Sequence, residues 1–390
     1  MEIIINQLRH ADVNVVDRDD VEAMGKRRRS DMVVSDRGIF GRILKDGSLA
    51  LGETYMEGGW DCDDLEELFY RVLSSGIDRE VRVTGWSEFF RMVGAYLMNL
   101  QTVRRSLKVA EEHYNIGNDL YRVMLGETMT YSCAYWRRGN DDLDRAQRDK
   151  FDLICRKLDL RETDVVLDIG CGFGSLARYI ATEYGCRVVG VTISTEQLKY
   201  CTEQNSHPRV TYLGMDYRNL RHETLGHRFT KVVSVGMFEH VGHKNFGGFF
   251  AKVHELLTDD GIFLLHTIGS NTTSVNGDAW IDKYIFPGGL LPSIRQIGEA
   301  TEDLLVMEDW HNFGVHYERT LLAWYRNYVA GKTAGTITVG PRFDRMWCYY
   351  LLTCASFFKA RRTQLWQIVF TKRYHREYLS IRYEAPRSHE

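Results

Sequence analysis

A chain of 390 residues is long enough for one large domain or two moderate ones. Apolar residues at 44% and charged residues at 26% exclude a largely disordered protein, and five prolines exclude long Pro-rich linkers. A formal net charge of −3 excludes an overall attraction to nucleic acid or anionic lipid, so any such affinity must come from local patches.

The opening residues, MEIIINQLRH, carry too short an apolar run for a signal peptide, and no later stretch approaches the ~18 apolar residues of a membrane span. The expected location is the cytoplasm. Eight cysteines, at 62, 133, 155, 171, 186, 201, 348 and 354, lack the paired CxxC spacing of zinc or dithiol sites, so reduced thiols and no metal are expected.

Residues 1–105 read as a small, mostly helical unit with a few short extended pieces. In GIFGRILKDGSLALGETYMEGGWDCDDLEELFYRVLSSG, glycine turns separate helical stretches, and Asp61 or Asp63 is expected to cap the helix carrying Leu65, Leu68, Phe69 and Val72. Further on, SEFFRMVGAYLMNLQTVRRSLK places Phe89, Phe90, Val93, Tyr96, Leu97 and Leu100 on one helical face, followed by Arg104, Arg105 and Lys108. Such a face either packs on the rest of the protein or touches lipid. Three basic clusters stand out: Lys26 to Arg29; Lys359, Arg361 and Arg362; and Lys372, Arg373 and Arg376. Each reads as a solvated face or as a contact for an anionic surface.

From about 145 to 270 strand and helix alternate. VVLDIG is a short buried strand ending in glycines, after which Leu176, Ala177, Ile180, Ala181 and Tyr184 repeat at helical spacing. RVVGVTIS, RVTYLGMD, FTKVVSVGMFEH and GIFLLHTIG supply four more strands. The pattern predicts an α/β fold: a doubly wound parallel sheet with right-handed crossovers and ligands at the carboxyl ends of the strands.

Asp168, Gly170, Gly172 and Gly174 form D-I-G-C-G-F-G between the first of these strands and its helix. The spacing is GxGxG rather than the GxGxxG of dinucleotide sites, which favours the loop of a class I methyltransferase over a nucleotide-phosphate loop. Asp216, ending the third strand, can accept from an adenine amino group, and Tyr217 can cover the ring. The second strand ends in Val191, Thr192, Ile193 and Ser194 without an acid, leaving the ribose to Thr192 and Gln197.

VTISTEQ, with YSCAYW, GMFEHVG and FLLHTIG, closely resembles bacterial cyclopropane-fatty-acyl-phospholipid synthases. The likeness extends over GRILKDGSLALGETYMEGGW, EEHYNIGNDLYRVML, DKYIFPGGLLPSIRQI, MEDWHNFGVHYERTLLAWY and QLWQIVF. It departs in the first ~35 residues, in GKTAGTITVGP and in the basic tail, all places where variation is tolerated. Mycolic-acid cyclopropane synthases resemble the catalytic part.

The resemblance implies a class I methyltransferase domain over 106–390 behind an amino-terminal lipid-binding or accessory domain over 1–105, S-adenosylmethionine as methyl donor, and a bicarbonate ion in the active site. The positions matching the bicarbonate ligands are Cys133, Glu239, His266, the backbone of Ile268, and Tyr317. Those matching cofactor contacts are Tyr114, Tyr131, Ser132, Gly170, Gly172, Thr192, Gln197, Asp216 and Tyr217. It further implies a homodimer that binds the phospholipid membrane peripherally, at its inner face.

The chemistry explains these groups. An isolated alkene is a poor nucleophile and must be placed in line with a sulfonium methyl stripped of competing water. Transfer leaves a carbocation, and ring closure needs only a weak base to remove a proton from the new methyl. A bicarbonate hydrogen-bonded through its O–H to Glu239, and receiving donors from Tyr317, His266 and the Ile268 amide, would be that base. Tyr135, Trp136, Phe238, Trp310 and Tyr317 are the aromatics available to face the cation, about two of them at the reacting centre, each worth roughly 0.5–2 kcal/mol.

A nucleophilic Cys133 is rejected, because a thiolate beside the sulfonium would itself be methylated. His113 and His311 read as structural histidines ahead of acid–base groups, and Cys354 as a packed thiol. Two other readings stay open: methyl transfer on the same frame giving branched lipids or methylated amines, and a non-catalytic lipid-binding protein.

Overall fold

A computed structural model describes residues 2–21, 27–76, 118–373 and 377–378. The helix expected over Phe89–Lys108, and with it His113, Tyr114 and the domain boundary at 105, lies outside the described residues.

The amino-terminal part holds α1 (Glu2–His10), α2 (Ile39–Met56), α3 (Leu65–Ser75) and a small sheet of β1 (Val15–Asp17), β2 (Met32–Val34) and β3 (Trp60–Asp61). Helix α3 shows why its sequence folds as it does. Asp64, rather than Asp61 or Asp63, is its cap, accepting from the Glu67 amide at 3.1 Å, and Gly76 closes the other end in the left-handed region at φ 82°. The cap must sit one residue before the first helical turn for its carboxylate to reach the orphan amides. Leu65, Leu68, Phe69 and Leu73 bury one stripe, each contributing roughly 1.5–3 kcal/mol.

After α4 (Asn118–Leu125) and α5 (Leu143–Lys157) comes a seven-stranded sheet. Its strands are β4 (Val165–Ile169), β5 (Arg187–Thr192), β6 (Val210–Gly214), β7 (Phe229–Val235), β8 (Leu257–Ser270), β9 (Val306–Asn312) and β10 (Thr363–Thr371), in the order β6-β5-β4-β7-β8-β10-β9. β6, β5, β4, β7 and β8 are mutually parallel, as expected. The last two depart from the expectation of an all-parallel sheet, since β10 runs antiparallel to both β8 and β9. The sheet order reverses at β4, which has β5 on one side and β7 on the other. A crevice therefore opens at its carboxyl end.

Helices α6 (Ser175–Tyr184) and α7 (Thr195–Gln204) follow β4 and β5, and α8 (Phe246–Leu256) precedes β8. Between β8 and β10 lie α9 (Ala279–Tyr284), α10 (Ile294–Thr301), α11 (Val315–Thr333) and α12 (Pro341–Lys359). One hydrophobic cluster runs from Phe40, Trp60 and Phe69 through Tyr121 and Trp280 to Trp324, Trp347 and Tyr350, so residues 2–76 share a core with the elements around the site. Ser356 donates to the Glu66 carbonyl at 2.8 Å, and the Arg345 guanidinium lies 3.9 Å over the Tyr55 ring while donating to the Tyr55 carbonyl. The Trp280 indole fills the place where a side chain at Gly52 would stand.

Candidate active site

The glycine loop is shaped by backbone geometry. Gly170, Gly172 and Gly174 have φ of 79°, 55° and 84°, in the region where L side chains are strained. A Cβ on Gly170 would also fall 2.6 Å from Met237. The Gly170 and Cys171 amides hold the loop to the Val191 carbonyl at 2.9 and 3.0 Å, and Gly174 caps α6.

This loop forms one wall of a pocket whose other walls bring together Tyr131, Ser132, Thr192, Gln197, Asp216 and Tyr217. Thr192 donates from its hydroxyl to the Gln197 side-chain oxygen at 2.8 Å, so the pair expected at a ribose is preassembled. The Tyr131 and Tyr350 hydroxyls are 2.8 Å apart. Asp216 differs from expectation: both its oxygens accept from Arg218, at 2.8 and 2.6 Å, leaving its second lone pairs for an adenine amino group.

Asp168 closes the pocket floor. It is buried, its Oδ2 has no partner among the described residues, and burial pushes its carboxyl up to about 7, with Lys150 opposing that push. A cradle of strained glycines beside an unpartnered carboxylate fits a ligand that carries an ammonium group.

The second group stands at the ends of β7 and β8. Glu239 follows β7 in a short 3-10 turn, and its Oε1 accepts the Ile268 amide at 2.6 Å. Its Oε2 is buried without a partner among the described residues, and burial pushes the carboxyl up to about 7 against the pull of that amide. His266, on β8, has Nδ1 3.3 Å from the Gln367 side-chain nitrogen on β10, while Nε2 is buried and unpartnered among the described residues. Burial pulls this imidazole well below its ordinary value, with Lys150 and Lys157 adding to the pull, so the ring is neutral. The Gln367 side-chain amide braces Nδ1; donating its N–H there would leave the ring hydrogen on Nε2.

Tyr317, in the first turn of α11, stacks on Phe358 at 4.6 Å. Its phenol is held well above the ordinary value by burial, with Cys133, Glu239 and Cys354 adding to that push, which sets it among these groups. Cys133 is fully buried, donates to the Ala134 carbonyl at 3.2 Å, and burial pushes its thiol up. A neutral thiol fits packing or ligation and not nucleophilic attack.

Of the five expected anion ligands, Cys133 and Glu239 stand within electrostatic reach of Tyr317, and His266 lies on β8 two residues before Ile268. The fifth, the Ile268 amide, is engaged by Glu239. Two unpartnered buried atoms, one acceptor and one donor, beside a phenol suit a small oxyanion that both donates and accepts.

Of the aromatics, only Tyr317 stands with Glu239. Phe238 stacks on Phe246 at 4.4 Å in the core behind the sheet, and Trp310 packs on Trp366 at 4.9 Å. Trp136 lies under Arg319, and Tyr135 stacks on His316. Trp324, 6.0 Å from Tyr317, and Phe313, 5.9 Å from His266, take the expected aromatic places. His311 sits 3.1 Å from the Lys157 ammonium, as a structural histidine would.

Sequence reasoning missed two lining residues, His240 and Lys150, and one supporting residue, Gln147. His240 lines the pocket, and burial pulls its imidazole down to about 4. Gln147 and Lys150 come from α5. The Gln147 amide donates to the Ser132 carbonyl at 2.9 Å, and the Lys150 ammonium donates to the Ser132 hydroxyl at 2.8 Å. A legible signal existed: both sit on the stripe Leu143, Ala146, Gln147, Lys150, Phe151, Ile154, where polar residues interrupt a buried face.

A sheet of this order, with its glycine loop at the reversal point, defines the class I S-adenosylmethionine-dependent methyltransferase fold. Residues 101–368 match the profile of the Mycolic acid cyclopropane synthetase family, and the chain belongs to that family. It is 49% identical over 343 residues, 88% of each chain, to the cyclopropane-fatty-acyl-phospholipid synthase of Escherichia coli strain K12. Among solved structures it resembles the cyclopropane synthase MmaA2 from Mycobacterium tuberculosis, with a TM-score of 0.62 and 30% identity, covering 68% of this chain and 98% of that one. It also resembles mycolic acid cyclopropane synthase CmaA1 complexed with SAH and CTAB, with a TM-score of 0.61 and 28% identity over the same shares.

Proposed function

We propose that this chain is an S-adenosylmethionine-dependent cyclopropane-fatty-acyl-phospholipid synthase that uses bound bicarbonate as its base. The observation that carries the reading is the pairing of the glycine-loop pocket with a second buried group in which Glu239 Oε2 and His266 Nε2 stand unpartnered among the described residues, next to Tyr317.

S-adenosylmethionine supplies the electrophilic methyl, held by the glycine loop, Asp168 and the Thr192–Gln197 pair. Bicarbonate supplies an oxygen base where Glu239, His266 and Tyr317 would hold it. Glu239 Oε2 accepts, while His266 Nε2 and the Tyr317 hydroxyl donate, which fixes the orientation of a bound oxyanion. Trp324, Phe313 and Phe358 exclude water and offer ring faces and edges to a cationic acyl chain.

Among the described residues no helix is long and apolar enough to cross a membrane. Our reading is that the double bond is reached by peripheral docking, through residues 1–105 and the basic carboxyl tail. A homodimer would present two such elements to one bilayer.

The test is to incubate purified protein with S-adenosylmethionine and unsaturated phospholipid vesicles, with bicarbonate added or stripped, and to weigh the acyl chains. A gain of one CH₂ that depends on bicarbonate supports the proposal. A product two hydrogens heavier indicates a methyl-branching enzyme, and full activity without bicarbonate removes the base assigned here.

A further inference from the structure

Lys150 is the charged group in the crevice that the reaction outlined above does not use. It sits on α5 with its side chain fully buried, and its Nζ makes one hydrogen bond among the described residues, to Ser132 Oγ at 2.8 Å. An ammonium has three hydrogens; besides this bond Nζ lies 5.1 Å over the Phe151 ring, which leaves hydrogen-bonding capacity unused. A buried charge left this way is costly unless a ligand completes it.

The groups facing it come from every neighbouring element: Cys133 from the loop before α5, Asp168 from β4 and His266 from β8. Cys133 and His266 are neutral, so Asp168 is the sole carboxylate in that set. Asp168 does not close an ion pair with Lys150, and its Oδ2 is unpartnered among the described residues. Both side chains line the same pocket, beside Ser132 and the glycine loop. A buried amino group and a buried carboxyl that face one cavity without touching form a receptor for a zwitterion.

We propose that Lys150 is a cofactor-binding residue: with Ser132 it takes the α-carboxylate of the methyl donor, opposite Asp168, which takes the α-ammonium. This rests on the methyltransferase reading and deepens it. The adenosine end is held elsewhere, by Thr192, Gln197, Asp216 and Tyr217, so the lysine contributes to one end of the ligand only.

A proton balance follows. Burial pulls the Lys150 ammonium down to about 7, so above that pH the ligand-free chain holds a neutral amine. A carboxylate arriving beside it favours the charged form, and the amine takes one proton from solvent on binding.

The experiment is calorimetric titration with two probes, S-adenosylhomocysteine and 5′-methylthioadenosine, which keeps the adenosine and thioether but lacks the amino-acid end. Lys150→Met and Lys150→Gln are each expected to weaken S-adenosylhomocysteine by about tenfold or more while leaving 5′-methylthioadenosine within about twofold. Lys150→Arg is expected to restore part of the loss. Wild-type protein, measured at about pH 8 in buffers of different ionisation heat, is expected to take up close to one proton with the first probe and none with the second.

Equal weakening of both probes, or no proton uptake by the wild type, overturns the proposal, and the wild-type measurement stands even where a variant fails to fold. Failure of wild-type protein to bind either probe instead removes the methyltransferase reading beneath it.

Discussion

At the scale of single residues, Glu239 carries two separable roles. Its Oε2 is free among the described residues, where the proposed oxyanion would bind, while its Oε1 is tied to the Ile268 amide, and neither oxygen lines the glycine-loop pocket. Glu239→Gln should lower the rate of cyclopropane formation roughly 10²–10⁴-fold while calorimetry finds S-adenosylhomocysteine affinity unchanged. Loss of that affinity would mean that Glu239 belongs to the methyl-donor site. The same carboxyl also sets a pH dependence. Its folded-state value of about 7 lies above the ordinary 4.5, so the folded chain holds this proton more tightly than the unfolded chain. The stability so conferred is complete below about pH 4.5 and is lost as pH rises through about 7. Glu239→Gln escapes that loss, and its margin over wild type in urea denaturation should grow across this window to about 3 kcal/mol. A margin that does not change with pH would refute the buried ionisation. In the wild type, activity should rise through about pH 7 as Glu239 becomes a pure acceptor.

At the scale of elements, α9 is pinned to α2 by close packing. A Cβ at Gly52 would fall 2.3 Å from the Trp280 ring, which is itself almost wholly buried. Gly52→Ala should therefore destabilise the chain by roughly 1–3 kcal/mol in chemical denaturation, despite alanine's better helix propensity. A stabilised variant would show that the indole can move aside. Elements also mark how far the sequence could be read. The five parallel strands were legible because each is a short apolar run between glycine-rich turns and helical repeats. β9 and β10 were not, since QLWQIVF and MEDWHNF carry no turn signal that distinguishes an antiparallel insertion from a buried helix end. The cap of α3 was misplaced, by three residues for Asp61 or one for Asp63, because DCDD offers four adjacent positions with three carboxylates, and only the fold decides which faces the first turn. In the site, Glu239 and His266 were legible through the family resemblance; Glu239 follows β7, whereas His266 lies within β8 rather than after it. Lys150 was passed over because a lysine in a helix is ordinarily solvated, although its place on the buried stripe of α5 marked it.

At the scale of the molecule, much of the basic surface is already neutralised. Arg27 pairs with Asp63 at 2.6 Å, Lys359 with Glu66 at 2.9 Å, Lys372 with Asp259 at 3.2 Å and Arg373 with Asp303 at 2.5 Å. Docking on anionic vesicles should then depend on apolar contact, with co-sedimentation falling less than about tenfold between about 0.05 and about 0.5 M salt. A steep decline would return the basic clusters to the membrane. The position of β10 has a consequence for how the chain is made. It lies between β8 and β9, and its Gln367 orients His266. A ribosome must therefore release the chain through β10 before the imidazole acquires its bracing amide and β9 its hydrogen-bonding neighbour. A nascent chain stalled short of Gln367 would hold the residues of the glycine loop while lacking the amide that braces His266, so the two halves of the site mature at different moments of synthesis.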